Sequence, residues 1–106
     1  MKTYPKSGSH LFCGHLNGSP VEIGLTELLL EVPLTESLHY HDYHEYCVIL
    51  EGSGDLEVEG SVIPLFAGPT IMVQPGERHR VVAVGPSGIG WVIIKERSEP
   101  NSKHEV

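Results

Sequence analysis

Gly- and Pro-rich breaks recur along this chain so closely that only short apolar runs fit between them. They stand at "EGSGD" (51–55), "EGS" (59–61), "AGP" (67–69), "QPGE" (74–77) and "GPSGIG" (85–90). Short runs separated by such turn chemistry are the pattern of an all-β sandwich or barrel. The segments between the breaks predict strands over 21–32, 37–41, 45–51, 55–59, 62–66, 70–74, 78–84 and 89–96. In "DLEVEG", Leu56 and Val58 point one way while Asp55, Glu57 and Glu59 point the other, as on a sheet with one wet face. The stretch "GLTELLLEVPL" spaces Leu25, Leu28, Leu29 and Val32 as a helix would. Pro33 disfavours helical geometry at Val32, however, and every neighbouring segment reads as strand, so a strand is predicted there too.

A chain of 106 residues has room for one domain with a modest core. Its ordered part is predicted at about 20–97, between polar, mobile ends at about 1–9 and 98–106. The formal charge of −7, with Arg78 and Arg80 as the one close basic pair, argues against a nucleic-acid partner, because phosphate binding needs an excess of cations. No apolar run approaches the length of a membrane span, and the N-terminal stretch does not read as a signal peptide. Cys13 and Cys47 match no CxxC pattern, which suits a thiol-keeping cytoplasm.

The chemistry concentrates in "HYHDYHEYCVILEG", residues 39–52. Consecutive odd positions of a strand share a face, so His39 and His41 can aim both rings at one point. Glu45 has the same parity. His79, just past the "QPGE" turn at the start of another strand, is the natural third imidazole. Such a donor set suits one divalent transition metal ion: Fe, Mn, Ni, Zn, Cu or Co. Four protein ligands on a six-coordinate ion leave two positions for water or substrate. The plainer reading of the same residues is a polar loop and strand cap rich in imidazole. His44 has the opposite parity and reads as a surface side chain, able to replace a ligand only if the register slips. His10, His15 and His104 read as exposed.

His39-x-His41-x3-Glu45-x6-Gly52 resembles the first motif of the cupin superfamily, and Gly68-x5-Gln74-x-Gly76-x2-His79 resembles the second. The resemblance spans roughly residues 20–97. It implies a double-stranded β-helix, the cupin jelly-roll barrel, with His39, His41, Glu45 and His79 on one metal. The first motif is also similar to the sugar-sensing barrels of arabinose-type regulators, without their DNA-binding domain. Pro33, Gln74 and Ala83 depart from the family pattern, and none of them is a ligand position.

Around the four ligands, Cys47 should face the barrel interior, as a small core residue. Tyr43 either brings a hydroxyl near the metal or covers the mouth. With His44 it is the candidate for proton transfer. Gln74 reads as a turn residue or a hydrogen-bond partner, and Trp91 and Met72 as core. Three functions fit: a metalloenzyme of dioxygenase, isomerase, decarboxylase or cyclase type acting on a small polar molecule, a small-molecule-binding or sensing module, and a metal-stapled structural protein. The resemblance also implies a homodimer.

Overall fold

The computed structural model describes residues 1–4, 10–30, 33–99 and 103–106, and within them the chain is almost entirely β. In chain order the strands are β1 (Leu11–Cys13), β2 (Glu22–Leu28), β3 (His39–Tyr40), β4 (Glu45–Val58), β5 (Ser61–Phe66), β6 (Thr70–Val73), β7 (His79–Lys95) and β8 (His104–Glu105). A 3-10 turn over His15–Asn17 links β1 to β2. The strand predicted at 21–32 is seen over Glu22–Leu28, and its last two positions, Glu31 and Val32, lie outside the described residues.

Two strands organise everything else. β4 and β7 run antiparallel along their whole length, from Glu45 opposite Lys95 to Val58 opposite His79. The first half of β4 pairs on its other edge with β6, and the second half with β5. Likewise, the far half of β7 pairs with β2, which carries β1, while its start pairs with β3, which carries β8. The long strands therefore belong to two layers at once. Leu56, Leu65 and Val81 of one layer pack in a single cluster with Cys47, Ile49, Val73, Ile89 and Trp91 of the other, so the layers close on each other as a barrel.

The sequence breaks at "EGSGD" and "GPSGIG" are the corners of this barrel rather than strand ends. Register shifts fall between Ile49 and Glu51, Gly52 and Gly54, and Asp55 and Leu56. They change the inward parity of β4 from Glu45, Cys47 and Ile49 to Leu56 and Val58, so both halves face the core. Gly52 carries a φ of 77°, and a Cβ placed there would lie 2.0 Å from the carbonyl oxygen of Gly88. Only glycine lets the two corners approach this closely. Parity also places Met72 on the outer face of β6, between inward Ile71 and Val73, although the sequence read it as core.

The C-terminal end has a role beyond the polar tail expected of it. β8 pairs with β3, His104 stacks on Tyr40 with ring centroids 4.9 Å apart, and its Nε2 lies 2.7 Å from Asp42 Oδ2.

Candidate metal centre

Two structural devices bring the histidines together. Antiparallel pairing sets His39 of β3 directly opposite His79 of β7, with ring centroids 4.3 Å apart. His41 follows β3 at a bend, where its carbonyl accepts a hydrogen bond from the Gly76 amide in the "QPGE" turn at 2.9 Å. That bond fixes His41 against the segment that delivers His79. The ligand atoms of His39, His41 and His79 all lie within 4.8 Å of one another, and all three residues are buried. Glu45, the first residue of β4 and also buried, puts Oε2 3.1 Å from His41 Nε2 and 3.8 Å from His79 Nε2.

The hydrogen bonds behind the rings decide which nitrogens face inward. His39 Nδ1 donates to the Ser37 carbonyl at 2.7 Å and His79 Nδ1 to the Glu77 carbonyl at 2.9 Å. A neutral imidazole that donates from Nδ1 presents a bare lone pair at Nε2. Behind His41, the Tyr43 hydroxyl lies 3.3 Å from Nδ1, and the two rings stack at 5.0 Å. Among the described residues, Glu45 Oε2 and His79 Nε2 are buried atoms without a hydrogen-bond partner. The carboxylate oxygen is thus within ion-pair distance of both imidazoles but lacks an aligned donor.

Converging lone pairs around an unsatisfied carboxylate repel one another unless a cation lies among them. With bonds of about 2.1 Å, cis ligands on an octahedral ion lie about 3 Å apart and trans ligands about 4.2 Å. The observed separations need only small adjustment to reach that frame, and the nitrogen and carboxylate donors suit a divalent transition metal. The residues fit such an ion.

Electrostatics prepare the same state. Burial, helped by the neighbouring His79, Lys103 and His41, lowers the His39 pKa to about 4, so the ring stays neutral. Burial also opposes ionisation of Glu45, but the imidazoles of His41 and His79 and the ammonium of Lys95 outweigh it and hold the carboxylate below its usual range. For His79, burial works against the charged form, yet Glu45 and the Glu77 carbonyl raise its pKa overall.

The remaining sequence candidates fall in other places. Tyr43 is only 2% exposed, with its hydroxyl behind His41 and the Arg97 guanidinium 5.7 Å from its ring centroid. His44 points to the surface and binds Glu96, Nδ1 to Oε2 at 2.6 Å. Cys47 lines the cavity at the histidine cluster, and burial together with nearby Glu45 and Glu36 pushes its thiol pKa up to about 12. Gln74 serves the turn, where its backbone N–H donates to Glu77 Oε1. Arg78 and Arg80 pair with Glu59 and Glu57 on the adjacent strand region.

The cavity at the cluster is small, about 50 Å³, and Trp91, Leu56, Val81 and Ile93 wall it. Next to it lies a larger cavity of about 340 Å³, which shares Glu36, Val81 and Trp91 as lining residues. Sequence reasoning missed Glu36. Its place beside His39, Nδ1 to Oε1 at 4.0 Å, comes from the chain's path before β3, which carries no sequence motif.

The barrel and its inward histidine cluster define a small β-barrel of the jelly-roll type with a candidate metal site. The sequence model of the cupin domain matches residues 29–95, and the chain belongs to the cupin family. Among solved structures it is similar to a cupin protein from Bacteroides fragilis, 23% identical with a TM-score of 0.72 over 92% of this chain and 86% of that one. A polyketide cyclase from Streptomyces resistomycificus is 19% identical, with a TM-score of 0.73 over 91% of this chain and 68% of that one. A variant of oxalate decarboxylase from Bacillus subtilis is 14% identical, with a TM-score of 0.69 over 84% of this chain and 25% of that one. At these identities the likeness is one of fold. No curated protein sequence matches the chain.

Proposed function

We propose that His39, His41, Glu45 and His79 hold one divalent transition metal ion, and that the protein is a metal-dependent enzyme acting on a small polar organic molecule. The observation that carries the metal reading is the convergence of buried imidazole nitrogens on a carboxylate oxygen with no hydrogen-bond partner. A bound ion would supply Lewis acidity toward a carbonyl or enol oxygen. The chain's own residues do the rest. His39 and His79 are locked by backbone carbonyls in the ligating tautomer. Trp91, Leu56, Val81 and Ile93 keep the ligand side dry, and the protonated Cys47 thiol stays inert. The polyketide cyclase and the oxalate decarboxylase are enzymes on similar folds, which supports a reaction of cyclase or decarboxylase type; dioxygenase and isomerase chemistry need the same kind of site.

A second reading, a non-catalytic binding or sensing module, rests on Tyr43 and His44. Tyr43 turns its hydroxyl to the back of His41 and His44 binds Glu96 at the surface, so neither lines the cavity. Elemental analysis of protein purified without chelator tests the metal. Near-stoichiometric metal is expected in the wild type and in His44→Ala, with a loss well beyond tenfold in affinity in His79→Ala, since even an outer partner of a ligand is worth roughly 10–100-fold. Equal retention in all three would end the reading.

A further inference from the structure

Glu22 of β2, Lys95 of β7 and Glu45 of β4 stand side by side across three paired strands, with Lys95 directly opposite each carboxylate residue. Directly opposed residues project to one face of a sheet, and alternation along β7 puts Lys95 with Trp91 and Ile93 on the face turned to the core. Lys95 and Glu22 line, together with Ile93, a cavity of about 240 Å³, and Ile93 also walls the cavity at the histidines. The Lys95 ammonium lies 3.1 Å from Glu22 Oε2, and the two side chains are only 20% and 23% exposed. Glu22 is fixed in turn by the Ser98 hydroxyl, which donates to Oε1 at 3.2 Å. Burial works against the charge on Lys95, but Glu45, Tyr43 and Glu22 raise its pKa overall, so the ammonium persists next to a candidate ligand.

A largely buried ion pair is a weak source of stability, because desolvation consumes most of the attraction and an apolar pair would serve the sheet as well. Its charge matters to the neighbouring carboxylate instead. Resting on the metal reading above, we propose that Lys95, balanced by Glu22, tunes how tightly the histidine and carboxylate cluster holds its metal ion. The signs follow from charge. Lys95 attracts the carboxylate that the ion would use, and it repels a divalent cation. Glu22 offsets part of that repulsion by adding a negative charge beside the ammonium. Lys95 is thus a positioning residue that acts through Glu45. Glu36 and Lys103 also bear on the histidines, and both stay in place in every variant below.

Zinc dissociation constants, measured by competition with a chromophoric chelator, test the proposal. Lys95→Met, close in shape and uncharged, is expected to bind zinc about fivefold or more tightly, and Glu22→Gln more weakly by a similar factor. The double variant is expected to fall between them, and Lys95→Arg, which keeps the charge, to stay close to the wild type. A role in folding alone would weaken binding in both single variants. Shifts of the same sign in the two, no shift in either, or Lys95→Arg matching Lys95→Met would overturn the proposal. If Lys95→Met does not fold, Glu22 decides: Glu22→Asp should hold zinc more tightly than Glu22→Gln, and equal constants would overturn it. A wild-type protein that takes up no zinc defeats the metal reading and this inference with it. A zinc-binding wild type with indifferent variants defeats the inference alone.

Discussion

His39 shows how burial alone prepares a ligand. Its pKa is lowered to about 4, against an ordinary value of about 6.5. Between those values an unfolded chain takes up a proton there and the folded one does not, so folding stability falls as the pH drops through the window. The neighbouring shifts do not cancel this slope. His79 has a raised pKa, so its contribution is complete below about 6.5 and constant through the window. Glu45 is depressed, so its contribution fades only below the ordinary carboxylate range of about 4. Chelator-treated protein is therefore expected to lose melting temperature steadily from pH 6.5 to pH 4. His39→Gln is expected to be flatter over the same range. Parallel melting curves for the two would show that burial does not keep His39 neutral.

At the scale of elements, the corners carry the fold. Gly52 and Gly60 both have positive φ, but only Gly52 has backbone in its way, whereas a Cβ at Gly60 meets nothing within 4 Å. Gly60→Ala should cost the conformational term alone, about 1 kcal/mol. Gly52→Ala adds a clash that the paired strands cannot relieve, and is expected to cost more than about 2 kcal/mol. Urea midpoints at constant m-value measure the difference, and equal midpoints would mean that the corner yields. The same corners explain what the sequence could and could not reveal. Period-two alternation and turn chemistry made all-β architecture and most strand positions legible. They could not reveal that 45–51 and 55–59 are one strand, or 78–84 and 89–96 another, because a glycine-rich corner and a glycine-rich turn use the same residues. The strand parity expected for His39 and His41 does not describe their meeting, because β3 ends at Tyr40 and His41 is held instead by its carbonyl on the Gly76 amide. Their meeting with His79 depends on a long-range register between β3 and β7 that no local pattern encodes. β1 and β8 escaped notice because they are too short to alternate.

For the whole molecule, the candidate ligands tie one short stretch, with His39 on β3, His41 beyond it and Glu45 opening β4, to a segment distant in sequence, where His79 opens β7. A metal held by all of them binds the folded state alone, and so stabilises it by mass action. Zinc at 100 times its dissociation constant is expected to add about 2.7 kcal/mol, read as a rise in melting temperature that disappears in His79→Ala. An unchanged melting temperature with zinc bound would mean that the unfolded chain binds it as well. Assembly belongs to this scale too. Among the described residues β5 pairs with β4 and no other strand, which leaves its other edge open, and it exposes Val62 and Phe66. We infer a homodimer from that edge, and light scattering showing a monomer at micromolar concentration would remove it.

The two-layer membership of β4 and β7 also limits how the chain can be divided. A cut at the 67–69 turn would leave β4 on one piece and β7 on the other, and each layer needs both. Neither piece could complete even one layer by itself, so order would have to await their meeting. The barrel is in that sense a built-in coincidence detector, with a readout at the histidine pocket, since His39, His41 and Glu45 lie on one piece and His79 on the other.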